Sequence, residues 1–191
     1  MSASPSSFEL VRPAARHLAG FVDALGRGWS PNNVRPEAAA AEALAAIERD
    51  PAAFLDLLVD REARGAPIAL PDGSFAPRLP GYTHWLWDGQ FCGSIGLRWQ
   101  PGTAVLPPYV LGHIGYAVVL WKRRLGYATR ALALRLPEAR ALGLPYVELT
   151  ALADNEPSQR VILANGGTLV ERFRDPFHHH EAEALRYRIA L

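Results

Sequence analysis

Apolar runs bounded by glycine and proline alternate along the chain with segments whose apolar residues recur at helical spacing, and these two periods predict its elements. Phe8-Glu9-Leu10-Val11 reads as a short first strand, and Pro13 suits the first turn of a helix through about Leu25. Pro36 and Asp50-Pro51 are start signals for two further helices, with apolar faces at Ala38, Ala41, Leu44, Ala45 and at Phe54, Leu55, Leu58, Val59. Pro67, Pro71, Gly73, Pro77 and Pro80 make residues 65–81 a mobile loop without regular structure. Thr83–Trp87 and Phe91–Leu97 flank Asp88-Gly89, so they form an antiparallel hairpin with a tight turn. After the link Pro101–Pro108 come a strand over Gly112–Val119 and a helix from Arg124 to about Leu142, stopped by Gly143 and Pro145. Pro137 predicts a kink or an early end of that helix near Leu136, because proline in a helix costs roughly 3 kcal/mol. Tyr146–Thr150 is a strand, Asn155 caps a helix to about Ala164, and Thr168–Phe173 and Ala184–Ile189 finish a sheet. The order is β-α-α-α-β-β-β-α-β-α-β-β, an α/β (α+β) chain with no internal repeat.

Within this pattern the junction Gly112 to Ala128 carries the most chemistry. A strand delivers Arg123-Arg124-Leu125-Gly126-Tyr127-Ala128-Thr129 to the first turn of a helix. Small residues at 126 and 128 leave the N–H groups of that turn open, and these, with the helix dipole, attract an anion such as a diphosphate.

Arg123-x-x-Gly126-x-Ala128 resembles the acyl-CoA-binding motif R/Q-x-x-G-x-G/A of the GNAT N-acetyltransferase superfamily. Asp154-Asn155-Glu156-Pro157-Ser158, followed by Val161-Ile162 and Asn165-Gly166-Gly167, is similar to the superfamily's next motif. The match spans roughly 82–191, the acyl-CoA core, and resembles most a bacterial branch of predicted acetyltransferases. Residues 8–64 match more loosely and are expected to line the substrate side. The resemblance implies a mostly antiparallel sheet with splayed middle strands and flanking helices. It also implies acetyl-CoA as co-substrate, lying between the splayed strands. By that analogy, backbone groups of Val118, Val119 and Leu120 meet the pantetheine and acyl carbonyl. The N–H groups of Arg124, Leu125, Gly126, Tyr127, Ala128 and Thr129 meet the diphosphate, with charge from the side chains of Arg123 and Arg124; solvated arginines are the alternative. Asn155 resembles the asparagine that bonds the pantetheine arm, and is equally a helix cap.

Acyl transfer needs a neutral amine, a donor for the oxyanion and a proton for the departing thiolate. His113 is the first candidate for general base, because superfamily members place a Glu or His on that strand; a buried, hydrogen-bonded core histidine weighs equally. Glu148 on the neighbouring strand is the substitute, directly or through water, against a plain solvent-facing role. The family's acid tyrosine aligns with Ile162, so that role falls to Ser158, Tyr116 or water. Tyr127 is expected to pack. The implied reaction is transfer of acetyl to a primary amine of a small molecule by direct attack. Alternatives are a larger acyl group, a protein N-terminus or lysine as acceptor, and a non-catalytic acyl-CoA sensor.

Composition narrows this further. The chain has 191 residues, 49% hydrophobic, enough for one folded domain over 1–191. A net charge of +1 provides no basic field for nucleic acid. No leader-like or membrane-spanning stretch opens the chain, so cytoplasmic location without a membrane partner is expected, with a homodimer left open. The single cysteine, Cys92, sits in an apolar strand pattern and reads as a buried thiol. His178-His179-His180-Glu181 points alternately to two sides of an extended segment, which argues for a solvated loop and no metal. Trp85, Trp87, Trp99 and Trp121 either wall an apolar acceptor site or divide between core and surface. The P-loop and dinucleotide fingerprints do not occur.

Overall fold

The computed structural model describes residues 8–70, 73–176 and 182–191. The chain begins with β1 (Glu9–Val11) and the helices α1 (Ala15–Gly26), α2 (Pro36–Arg49) and α3 (Pro51–Leu57). Three two-residue strands follow, β2 (Val59–Asp60), β3 (Ile68–Ala69) and β4 (Phe75–Ala76). Next come the hairpin β5 (Gly81–Trp87) and β6 (Phe91–Arg98), then β7 (Ile114–Val118). A 3-10 turn at Leu120–Lys122 leads into α4 (Tyr127–Ala141). The remaining elements are β8 (Tyr146–Leu152), α5 (Glu156–Ala164), β9 (Thr168–Arg174) and β10 (Glu183–Ala190).

Proline at the first helical position and Asp50 fix the entry to α3: the Asp50 carboxylate accepts the N–H groups of Ala52 and Ala53 at 3.0 Å. Pro51 has no N–H and the Asp50 N–H is bonded to the Ala46 carbonyl, so these two bonds satisfy the donors that the helix start leaves open. One sheet runs β1-β5-β6-β7, antiparallel, with β2 also on β5; a second runs β8-β10-β9, also antiparallel. The alternation of the strands builds two cores, one on each face of the first sheet. Phe21, Leu25 and Phe54 of the N-terminal helices pack with Trp85, Phe91 and Val119. On the other face Leu86, Ile95, Leu97 and Ile114 meet Ala131 and Leu132 of α4 and Ile162 of α5, and this core continues into Val147, Leu149, Tyr187 and Ile189 of the second sheet.

Three expectations are corrected. The proline-rich segment 65–81 is not without regular structure: β3 and β4 pair there, Ile68 opposite Ala76 and Ala69 opposite Phe75, because its prolines flank the paired positions instead of occupying them. The long helix begins at Tyr127 and not at Arg124, since Arg124 (φ 64) and Gly126 (φ 77) both take left-handed conformations that no helix turn accepts. The helix also passes Pro137 and ends at Ala141, not near Leu136. Ala133, four residues earlier, and Pro137 both lie on its exposed face, where the carbonyl without an N–H partner meets water. Of the two readings of the tryptophans, the division between core and surface holds: Trp85 is fully buried against Phe21, Trp99 packs near Tyr82, and Trp121 lies under Arg27 at the surface.

The accommodated proline yields a prediction. Pro137→Ala restores a helix N–H at an exposed position, and is expected to raise stability by about 2 kcal/mol, the helix-interior cost of proline less its restriction of the unfolded chain. Thermal denaturation then shifts upward by roughly 5 °C; an unchanged or lower midpoint contradicts this account of the helix.

Candidate functional site

β7 and β8 lie side by side, yet they belong to different sheets. They touch at one end only. The His113 N–H donates to the Glu148 carbonyl at 2.7 Å, and the Glu148 N–H donates to His113 Nδ1 at 2.9 Å. Gly112 permits this approach, since a Cβ there would stand 3.0 Å from the Glu148 carbonyl oxygen. Beyond that pair, among the described residues, no ladder joins Ile114–Val118 to Leu149–Leu152, and the strands splay. His113 O and Val119 N both bond back to β6, accepting from Arg98 N at 2.9 Å and donating to Cys92 O at 3.0 Å. Antiparallel alternation therefore turns the main-chain groups of Ile114, Tyr116 and Val118 toward the gap.

At the open end stands the start of α4. Its N-cap is Gly126, and no side chain caps it. Arg123, Arg124, Leu125 and Gly126 are exposed, with Tyr127, Ala128 and Thr129 half-buried behind them. An atom added at Gly126 would meet nothing within 4 Å. The N–H groups of the first turn thus fan into open space beside the gap, an arrangement suited to an anion. Val119 faces elsewhere: its side chain is buried in the N-terminal core and its carbonyl accepts from Lys122 N at 3.0 Å. Leu120 O is taken by Arg123 N at 3.3 Å. Arg123 Nε reaches Val118 O only at 3.5 Å, and both arginine side chains remain at the surface.

Tyr116 spans the gap. Its phenol lies 2.9 Å from Ser158 Oγ and donates to Ser158 O at 3.2 Å, linking β7 to the first turn of α5. Burial pushes this phenol up to about 12, against the opposing hydrogen bond with Ser158, so it stays protonated at neutral pH. Asn155 caps α5, its Oδ1 accepting from Ser158 N at 3.2 Å. Ile162 is fully buried core.

On the opposite face of β8, Glu148 lies at one wall of a half-open groove of about 240 Å³ lined by Val105, Pro107, Val110, Tyr146, Arg186 and Arg188 among others. Arg188 holds Glu148 Oε1 through Nη2 at 2.7 Å and Nε at 3.2 Å. Arg186 stands 3.5 Å from Oε2, donates to Leu111 O at 2.8 Å and pairs with Glu171 at 2.7 Å.

The family described as "Acetyltransferase (GNAT) domain" matches residues 29–168. The chain belongs to the GNAT acetyltransferase family. Acetyl-CoA is the acyl donor of that family. No curated protein matches the chain in sequence. Solved structures with the same fold include RimL, a ribosomal L7/L12 α-N-protein acetyltransferase, in complex with coenzyme A (TM-score 0.65, 14% identity, covering 98% of this chain and 97% of that one). The microcin C7 self-immunity acetyltransferase MccE, in complex with acetyl-CoA and AMP, superimposes with TM-score 0.62 at 13% identity, covering 98% of each chain. RimJ of Mycobacterium smegmatis, in complex with a CoA disulfide, does so with TM-score 0.64 at 20% identity, covering 97% of this chain and 83% of that one.

Within this GNAT fold the two base candidates are placed very differently. His113 is fully buried; its Nδ1 lone pair receives the Glu148 N–H, and its Nε2 closes no hydrogen bond, although the Ala104 carbonyl lies on that side. Burial, partly offset by the Glu148 charge, lowers its pKa to about 4. Such a histidine stabilises the native state fully above its unfolded value of 6.5 and loses that contribution as pH falls toward 4. Denaturant titrations are therefore expected to show stability falling on acidification through this window, with up to about 1.4 kcal/mol per pH unit from this group alone. His113→Gln should flatten the slope; an unchanged slope contradicts the assignment. His17 and His84 are lowered in the same direction, again chiefly by burial.

Sequence reasoning missed three groups around this GNAT site. Arg186 and Arg188 grip Glu148 from β10, and Asp88 on the β5–β6 turn holds Lys122 and Tyr127. These contacts join residues 34 to 40 positions apart, so no local spacing announces them. Tyr127 does pack, stacking on Phe8 at 4.9 Å between centroids. Cys92 is a buried thiol pushed up to about 12 by burial and the Asp88 charge. His178, His179, His180 and Glu181 lie outside the described residues. Among the described residues no group of acidic, His or Cys side chains forms a metal site, and no helix is long and apolar enough to cross a membrane.

Proposed function

We propose that this chain transfers an acetyl group from acetyl-CoA to a primary amine of a small molecule by direct attack. The observation that carries the reading is the uncapped start of α4 beside the splayed end of β7 and β8. In this reading the N–H groups of Leu125 to Thr129 take the diphosphate, and the surface charges of Arg123 and Arg124 add to them. The main-chain groups of Tyr116 and Val118, turned toward the gap, hold the pantetheine as an added strand would be held. Val119, whose N–H and carbonyl are both engaged, contributes position, and in this reading the Leu120 N–H is the group that meets the acyl carbonyl.

The amine approaches from the groove face, where Glu148 is the carboxylate at hand and takes the proton through water; sealed in the core, His113 serves by fixing the apex of the splay. The Tyr116 phenol, steadied by Ser158, protonates the departing thiolate in place of a tyrosine at 162. Asn155 orders that end of the gap by capping α5.

A protein N-terminus is the second reading, favoured by the half-open groove, which leaves room for a chain end. Incubation with acetyl-CoA and a panel of small amines and short peptides, followed by free thiol, tests both. Release with small amines supports the first reading and release only with peptides the second. No release with any amine, alongside saturable CoA binding, overturns catalysis and leaves a sensor.

A further inference from the structure

We propose that Asp88, on the turn between β5 and β6, is the positioning residue that holds the phosphate cradle open. This rests on the diphosphate reading above. The cradle loop Arg123–Gly126 contains two left-handed residues, of which Arg124 carries a side chain, and no side chain caps the helix it opens. Such a loop does not keep its shape by its own hydrogen bonds. Both of its ends are fastened to one carboxylate. Lys122, one residue before the loop, donates from Nζ to Asp88 Oδ1 at 2.6 Å and Oδ2 at 2.8 Å. Tyr127, one residue after it, donates its phenol to Oδ2 at 2.6 Å.

The pair is largely shielded, with side-chain exposures of 13% for Lys122 and 15% for Asp88, so its geometry is held more firmly than a surface ion pair would be. The turn is itself rigid: Asp88 N donates to Gln90 O at 3.2 Å, and Asp88 Oδ1 accepts from Gln90 N at 3.2 Å. Burial pushes the Asp88 carboxyl up, but hydrogen bonds from Lys122 and Tyr127 outweigh it and keep the group charged. One anion thus draws a cation and a phenol inward and leaves the N–H fan between them facing out. Lys122, spent on Asp88, is also unavailable to the ligand.

The test separates positioning of the cradle from general stability by using two ligands. Coenzyme A carries the diphosphate; pantetheine carries only the arm. Calorimetric titration of the full chain and of Asp88→Asn, each first shown to be folded by circular dichroism, is expected to show CoA weakened about tenfold and pantetheine changed less than about twofold. Unchanged CoA affinity, or equal weakening of both ligands, overturns the proposal. Tyr127→Phe releases only one end of the loop and serves if Asp88→Asn does not fold: a smaller loss confined to CoA supports the proposal, and no loss overturns it. Gly126→Val distinguishes the two levels. If it spares CoA, the diphosphate reading itself fails; if it weakens CoA while Asp88→Asn does not, only the role of Asp88 falls.

Discussion

Gly126→Val is expected to weaken coenzyme A binding about a hundredfold while the protein stays folded, the roughly 2.7 kcal/mol that one or two hydrogen bonds to a charged group are worth. The residue sits at φ 77 with nothing within 4 Å of an added Cβ. No clash therefore threatens the fold, but a β-branched residue is a strong outlier in the left-handed region, and the loop turns away to escape it. The N–H fan at Leu125 to Thr129 is lost with that movement. Gly126→Asn separates shape from bulk, because asparagine tolerates the left-handed conformation and its side chain enters open space. It is expected to retain most of the affinity. Calorimetry on the three proteins checks the series, and equal affinities would contradict the cradle.

Tyr116→Phe is expected to lower kcat about a hundredfold, the low end of what a positioned acid contributes, with CoA affinity nearly unchanged. The phenol sits at the gap with its oxygen 2.9 Å from Ser158 Oγ, and at about 12 its raised pKa keeps the proton available through neutral pH. Phenylalanine keeps the ring and its packing against the α4 core, so the loss falls on the chemical step. Ser158→Ala removes one partner but leaves the bond to Ser158 O at 3.2 Å, and its effect should be smaller. Steady-state rates with an amine returned by the thiol assay measure both. An unchanged kcat in the phenylalanine variant would assign thiolate protonation to water.

Much of this site is legible in the sequence because its signals are local. Glycine two residues before a small residue, at the start of a helical period, identifies the open helix start, and Asn155 ahead of Glu156-Pro157 identifies a cap. The order of the longer elements along the chain follows from turn residues, and the hairpin around Asp88-Gly89 stands where its flanking runs place it. What could not be read is whatever depends on strand phase and on distant partners. The same alternation that makes His113 a candidate base on one face makes it a sealed core residue on the other. Glu148 looks free until Arg186 and Arg188 arrive from a strand some forty residues later. The start of α4 shifted by three residues because Arg124, which has no glycine-like signature, adopts a positive φ. Asp88 was legible as a turn former; its second role depends on a lysine and a tyrosine that the fold brings to it.

The most direct measurement is a crystal structure of the chain with coenzyme A. The account predicts diphosphate oxygens about 3 Å from the main-chain nitrogens of Leu125 to Thr129, with the pantetheine arm between β7 and β8 alongside Tyr116 and Val118. A coenzyme whose diphosphate lies away from the start of α4, or a gap between β7 and β8 that stays closed by the Tyr116–Ser158 contact while the coenzyme binds elsewhere, would contradict it.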